Sequence, residues 1–251
     1  MILQVDAGNT RLHWRVVERT AESGVVVRER GNVERGTVPE PTDPGAVTDV
    51  ELACVAGDNV RDWLVANLAG NGGRSLREAV SERAACGVQN SYAEPGALGV
   101  DRWLAMVGAF NRYPGGVVVV DAGTAVTVDY VSPGGRHIGG YILPGVHLMS
   151  RALGTSTARV QRGSEAFGPP LPGNSTADCV SHGIGWIWSA AAERLRADRE
   201  AHGLGTIVVT GGDRDFMTGM LEGGAAVEPD LVFMGMDRVF QDADSHSGMR
   251  G

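Results

Sequence analysis

The chain has 251 residues, 43% hydrophobic and 21% charged, the balance of an ordinary soluble globular protein and enough for one large domain or two small ones. Its formal net charge is −8 with no dense basic stripe, so a nucleic-acid footprint is not visible. All 22 basic residues are arginine, which excludes the Walker A loop, protein-kinase-like sites and Schiff-base lysine chemistry together.

Met1 leads straight into a strand-like run with no basic leader, and no apolar stretch is long enough to cross a bilayer. Cys54, Cys86 and Cys179 form no Cys-x-x-Cys pair and are expected to be small buried hydrophobes in a reducing cytoplasm. Glycine is abundant, 37 residues, about twice the usual share of ~7%.

In chain order, Ile2 to Val5 is an apolar run that enters Asp6-Ala7-Gly8-Asn9-Thr10, followed by alternating Leu12, Trp14 and Val16. That reads as strand, glycine turn, strand. Pro39 to Pro44 is a loop, 52–56 a short buried strand, and Asp58 caps a helix carrying Val60, Trp63, Leu64 and Leu68. A glycine-rich loop follows at 70–73. Residues 101–112 form a helix with Leu104, Val107 and Phe110 on one face, ended by Pro114. Val117 to Val120 then enters Asp121-Ala122-Gly123-Thr124, followed by alternating Val126, Val128 and Tyr130. A helix around 183–200, a strand at 207–209, the turn Thr210-Gly211-Gly212-Asp213 and a frayed polar tail from Gln241 complete the chain. The repeated Asp turn predicts two α/β domains of like architecture, 1–115 and 116–251.

A glycine beside each aspartate lets backbone N–H groups point into a concavity that can cradle phosphate without a lysine. Asn9, Thr10 and Thr124 add side-chain donors, and the aspartates can hold a metal directly or through its waters, as magnesium prefers. One such turn alone is explained by ordinary hairpin chemistry. Two copies, each after a buried strand, favour function. With Gly211-Gly212 after a third strand, their order resembles the phosphate-1, phosphate-2 and adenosine motifs of the superfamily of sugar kinases, actin and heat-shock chaperone ATPases. That resemblance implies two ribonuclease H-like domains.

Between and beyond the turns stand Asn90-Ser91-Tyr92, Pro95, Leu98-Gly99-Val100-Asp101-Arg102-Trp103, Gly139-Gly140-Tyr141-Ile142-Leu143-Pro144-Gly145 and Gly173-Asn174-Ser175-Thr176. Together with Asp6 to Thr10 they closely resemble type III pantothenate kinase, from residue 2 to about residue 238. The resemblance implies that ATP phosphorylates the primary hydroxyl of pantothenate, the entry to coenzyme A synthesis, with Asp101 accepting the proton. Tyr92, Gly99, Val100 and Arg102 would bind pantothenate, and Thr176 would complete that pocket from the partner subunit of a homodimer. ATP would be bound by Asp6, Ala7, Gly8, Asn9, Thr10, Arg11, Leu12, His13 and Thr124. Asp6 would serve magnesium through water, and Asp121 a monovalent cation, potassium or ammonium. His13 stands where this family usually has lysine, which makes the charge at that place depend on pH.

Read physically, Asp101 at a helix start is equally a favourable cap, and Arg102 a surface ion pair. The same family includes Bvg accessory factor, a regulatory alternative. Another kinase of the superfamily, acting on a sugar or short carboxylate, is the third reading.

Overall fold

Strand β1 (Ile2–Ala7) is covered on both faces, because Leu3, Val5 and Ala7 enter the core while Gln4 on the other side is also buried. A strand with no solvent face belongs at the centre of a sheet. It pairs antiparallel with β2 (Arg11–Thr20), which pairs antiparallel with β3 (Gly24–Glu34). On its other edge β1 pairs parallel with β4 (Asp49–Cys54), and β4 with β5 (Ser75–Glu78), giving the order β3-β2-β1-β4-β5. Helix α1 (Asp58–Gly70) adds Leu64 and Leu68 to the core formed with Leu12, Trp14, Val16 and Leu52. A two-stranded hairpin, β6 (Ala84–Ala85) and β7 (Val88–Gln89), precedes helix α2 (Val100–Arg112).

The second sheet repeats the first. Strand β8 (Val117–Ala122) pairs antiparallel with β9 (Ala125–Val131), and β9 with β10 (His137–Pro144). Helices α3 (Val146–Ser156) and α4 (Thr176–Ala201) follow. Then β11 (Thr206–Thr210) pairs parallel with β8 and with β12 (Ala226–Val227), on either side of α5 (Arg214–Met220). The order β10-β9-β8-β11-β12, with the same strand directions, matches the first sheet element for element. The duplication visible in the two Asp turns is therefore a duplication of a whole mixed α/β sheet, the ribonuclease H-like arrangement. Val118, Val120, Val126, Val128, Ile207 and Val209 form its core with Ile184, Trp188 and Ala192 of α4.

The computed structural model describes residues 1–20, 24–70, 73–156 and 167–248. The chain groups into one unit of Met1–Gly108 with Leu231–Gly251, and a second of Ala109–Asp230. This differs from the expected division at 115/116, and the last segment explains why. Residues from Leu231 form helix α6 (Leu231–Gly248), where a polar tail fraying from Gln241 was expected. On α6, Asp237 accepts from Arg15 of β2 (2.5 Å) and from Gln4 of β1 (2.8 Å), which ties the helix to the first sheet. Gly108 and Gly235 let α2 and α6 cross closely: a Cβ on Gly235 would strike the backbone of Leu104, and one on Gly108 the carbonyl of Leu231.

Other local readings change too. The cap of α1 is Gly57, whose carbonyl accepts from Val60 and Arg61, so Asp58 belongs to the first turn. Helix α4 begins at Thr176, where the Ser175 hydroxyl accepts from the Asp178 N–H at 3.1 Å. Gly183 and Gly185 hid its first half, and Gly185 lies there because a Cβ would strike the Gly168 carbonyl. None of the three cysteines is buried: Cys54 and Cys86 are half-buried and Cys179 is exposed.

Candidate active site

In the first unit, β1 delivers Asp6, half-buried, into a three-residue turn of Gly8, Asn9 and Thr10 before β2. The Gly8 N–H donates to the Arg11 carbonyl at 3.1 Å, which closes the turn, while Asn9 and Thr10 are exposed. Ala7 and Leu12 are fully buried core residues, so any part they take in binding a ligand is through their backbone. His13 lies directly opposite Asp6 in the antiparallel register, which sends both side chains to the same face of the sheet. Packing around the imidazole, and then the nearby Arg11 charge, lower the His13 pKa below 6.5. At neutral pH His13 is therefore mainly an uncharged hydrogen-bonding group.

In the second unit, β8 delivers Asp121 into a shorter turn, Gly123 and Thr124, closed by the Gly123 N–H to the Ala125 carbonyl at 3.1 Å. Two glycines press backbone against this turn. Gly145, between β10 and α3, donates its N–H to the Thr124 carbonyl at 2.9 Å, and a Cβ there would strike the carbonyls of Gly123 and Thr124. Gly211, at φ +93°, stands where a Cβ would strike the Ala122 carbonyl and the Asp121 carboxylate. The Asp213 N–H donates to the Ala122 carbonyl at 2.8 Å. Asp213 in turn faces His147 of α3, with 3.5 Å between Nε2 and Oδ1. The sequence offered no sign of that pair, since its members come from separate loops. The paired glycines after the third strand were visible, and the structure adds why the first must be glycine.

The third constellation assembles within the first unit. The Gly99 carbonyl accepts from the Trp103 N–H at 3.0 Å, so Gly99 caps α2 and Asp101 sits one place past its first residue. The Asp101 carboxylate accepts from the Arg102 N–H at 2.7 Å and folds back over Gly99, where a Cβ would come within 2.6 Å of Oδ1. Glycine at 99 thus leaves the place the carboxylate occupies. Arg102, buried, donates from Nη1 to the Tyr92 hydroxyl at 3.1 Å, its guanidinium 5.9 Å from the ring centre. Val100 is buried and turns inward. Tyr92, Gly99, Asp101 and Arg102 are therefore one cluster of a carboxylate, a planar cation and a phenol. Thr176 belongs to the other unit, exposed at the first residue of α4. Among the described residues, no group of three or more His, Cys, Asp or Glu side chains forms a metal cage, and no helix is long and apolar enough to cross a membrane.

Several known proteins are similar to this chain in fold or in sequence. A Listeria monocytogenes protein provisionally assigned as an N-acetylmannosamine kinase has a similar fold, with a TM-score of 0.54 at 13% identity over 97% of this chain and 99% of that one. A Campylobacter jejuni structure provisionally assigned to a Baf family of transcriptional activators gives a TM-score of 0.63 at 18% identity, covering 97% of this chain and 99% of that one. Likeness at such identities carries the fold alone. Sequence carries more. A type III pantothenate kinase of Marinobacter nauticus is 37% identical over 248 residues, spanning 95% of this chain and 98% of that protein. One from Pseudomonas aeruginosa is 36% identical over 251 residues, 94% of this chain and 97% of its own length. The sequence model of the family matches residues 2–198, a span that contains both Asp turns, the Gly99-x-Asp101-Arg102 cluster and Thr176. With sheet order, motif placement and near full-length identity all in agreement, the chain belongs to the type III pantothenate kinase family.

Proposed function

We propose that the chain transfers the γ-phosphoryl group of ATP to the primary hydroxyl of pantothenate, giving 4′-phosphopantothenate for coenzyme A synthesis, with Asp101 as the proton acceptor. The observation that carries this reading is the Asp101 carboxylate resting over Gly99 beside the Arg102–Tyr92 pair. A carboxylate is a weak base for an alcohol, but phosphoryl transfer has a loose transition state and needs mainly positioning and charge neutralisation. Arg102 offers a planar fork suited to the carboxylate and amide oxygens of pantothenate. Its bond to the Tyr92 hydroxyl fixes the orientation of that fork. Asp101 would orient the hydroxyl and take its proton as the new P–O bond forms.

Each Asp turn brings one half-buried carboxylate to the end of a central strand. That donor set fits a hydrated magnesium whose remaining places are filled by water and phosphate, rather than an all-protein cage. Asp6 is the residue for magnesium through water, and Asp121 for a potassium or ammonium ion. Bound there, the cations would neutralise charge on the phosphates. Asn9, Thr10, His13 and Thr124 would meet the nucleotide through their side chains, and Ala7, Gly8, Arg11 and Leu12 through their backbone. The setting is cytoplasmic, where ATP is available.

Release of ADP should require both pantothenate and potassium, with little release in sodium. Release with another acceptor and none with pantothenate would overturn the substrate. Nucleotide binding without turnover would favour the regulatory reading, which no observation here prefers. Asp121→Asn should reduce the rate in potassium to the sodium level, and unchanged potassium activation would remove Asp121 from that role.

A homodimer completing its acceptor site with Thr176 is supported by what the second unit leaves uncovered. Tyr141 and Ile142 of β10, Leu171, and Trp186 and Ile187 of α4 are large apolar side chains exposed to solvent. Trp186, 65% exposed, is the strongest anchor among them. Trp186→Glu should convert the dimer to a monomer in analytical ultracentrifugation and raise KM for pantothenate. A variant that sediments like the wild type would move the interface elsewhere.

A further inference from the structure

The β6–β7 hairpin takes no part in the reaction outlined above, yet it is built with care. Its turn, Cys86 (φ 49°) and Gly87 (φ 83°), has both central residues left-handed, the geometry that matches the twist of a two-residue hairpin. Its open end is closed by the Asn90 N–H donating to the Arg83 carbonyl at 3.0 Å. From that end both side chains reach into the segment that follows. Arg83 donates from Nη1 to the carbonyls of Tyr92 (2.7 Å) and Asn90 (3.4 Å), and from Nη2 to that of Ala93 (2.6 Å). Among the described residues it makes no ion pair, so its donors are spent on main-chain carbonyls of one short loop.

Asn90, buried, works from the other side. Its amide donates to the carbonyls of Glu82 and Pro95, both at 3.2 Å, and its Oδ1 accepts from the Tyr92 N–H at 3.0 Å. Ser81, also buried, donates to the Leu98 carbonyl at 2.9 Å, one residue before Gly99. Tyr92 is thus gripped at its N–H by Asn90 and at its C=O by Arg83, while its hydroxyl meets Arg102 at 3.1 Å.

We propose that Arg83 is a positioning residue for the acceptor site, holding the 90–93 loop so that Tyr92 and Arg102 present one fixed face to pantothenate. The proposal rests on the reading of Tyr92 and Arg102 as acceptor-binding groups. A loop at a surface loses its geometry easily, and a displacement of about 1 Å in a binding group can cost up to ~100-fold. Three charge-assisted bonds to carbonyls converging on one cation oppose that displacement. A lysine ammonium cannot span the same three carbonyls with a planar fork.

Arg83→Ala should raise KM for pantothenate about tenfold or more, with kcat and KM for ATP held within about twofold and the thermal midpoint little changed. Arg83→Lys, which keeps the charge, should fall between wild type and alanine, and it decides the matter if the alanine variant does not fold. Amide hydrogen exchange over residues 90–95 should accelerate in either variant. Unchanged exchange, an unchanged KM for pantothenate, or equal increases in KM for both substrates would each overturn the role. Wild-type protein inactive with pantothenate, but with exchange accelerated in the variants, would instead refute the acceptor reading and leave the loop clamp standing.

Discussion

Asp101→Asn should retain the fold and nucleotide affinity and lose about 10²- to 10⁴-fold in the rate of ADP release, the usual scale for removing a general base. The substitution is close to isosteric. Asparagine keeps an oxygen that can accept from the Arg102 N–H, now 2.7 Å from the carboxylate, and it fits the space left by Gly99. The start of α2 is therefore preserved, and the thermal midpoint should stay near wild type. What disappears is the negative charge and the capacity to accept a proton from the pantothenate hydroxyl. Calorimetric titration with a non-hydrolysable ATP analogue should give the wild-type affinity. A variant that turns over at the full rate would sink the assignment of Asp101, and one that fails to bind nucleotide would show that its role is wider.

Asp237→Ala should cost about 3 kcal/mol of stability, far more than a surface change. The Asp237 carboxylate lies 2.5 Å from a nitrogen of Arg15 whose side chain is only 5% exposed, and it also accepts from Gln4 at 2.8 Å. Gln4 is engaged in turn by Arg15 at 2.6 Å and by Glu51 at 2.7 Å, so the loss spreads through a buried network. Removing one partner of such a pair leaves a desolvated charge, which is costlier than the pair was worth. Glu18→Ala is the control. It removes a carboxylate 2.6 Å from Arg28, but both side chains are about half exposed, and such pairs contribute ~0–1 kcal/mol. The two variants should separate clearly in urea denaturation. Equal midpoints would mean that α6 is held by its apolar contacts alone.

The two sheets were legible because each central strand opens on a mainly apolar run and ends in the same Asp-Ala-Gly turn. Nothing local marks α6 as part of the first unit. Its place depends on Asp237 meeting Arg15 and on Gly235 fitting against Leu104, contacts between opposite ends of the chain. Helix starts were misjudged where glycine served close packing, as at Gly185, and where a glycine carbonyl rather than an acidic side chain formed the cap, as at Gly57 and Gly99.

For the site, Gly99-x-Asp101-Arg102 was readable because its members are adjacent in sequence and so must be adjacent in space. The structure added the reason for the spacing, a carboxylate that needs the room a side chain at 99 would fill. Gly145, pressed against the Asp121 turn, and the His147–Asp213 pair were not readable in that role, since the loops meet only after the second sheet forms. Ala7 and Leu12 show the opposite limit: they lie within the proposed ATP-binding turn, yet their side chains serve the core.

The return of the last helix to the first unit has a consequence for synthesis. A chain still on the ribosome, with residues beyond 230 not yet made, carries Arg15 and Gln4 without Asp237, and Gly108 without the helix that crosses it. The unit of Ala109–Asp230 is continuous and can be completed before translation ends. The unit that holds Asp6 and Asp101 is begun first yet needs the segment from Leu231, so a stop codon before Leu231 is expected to destabilise a unit whose larger part is already made.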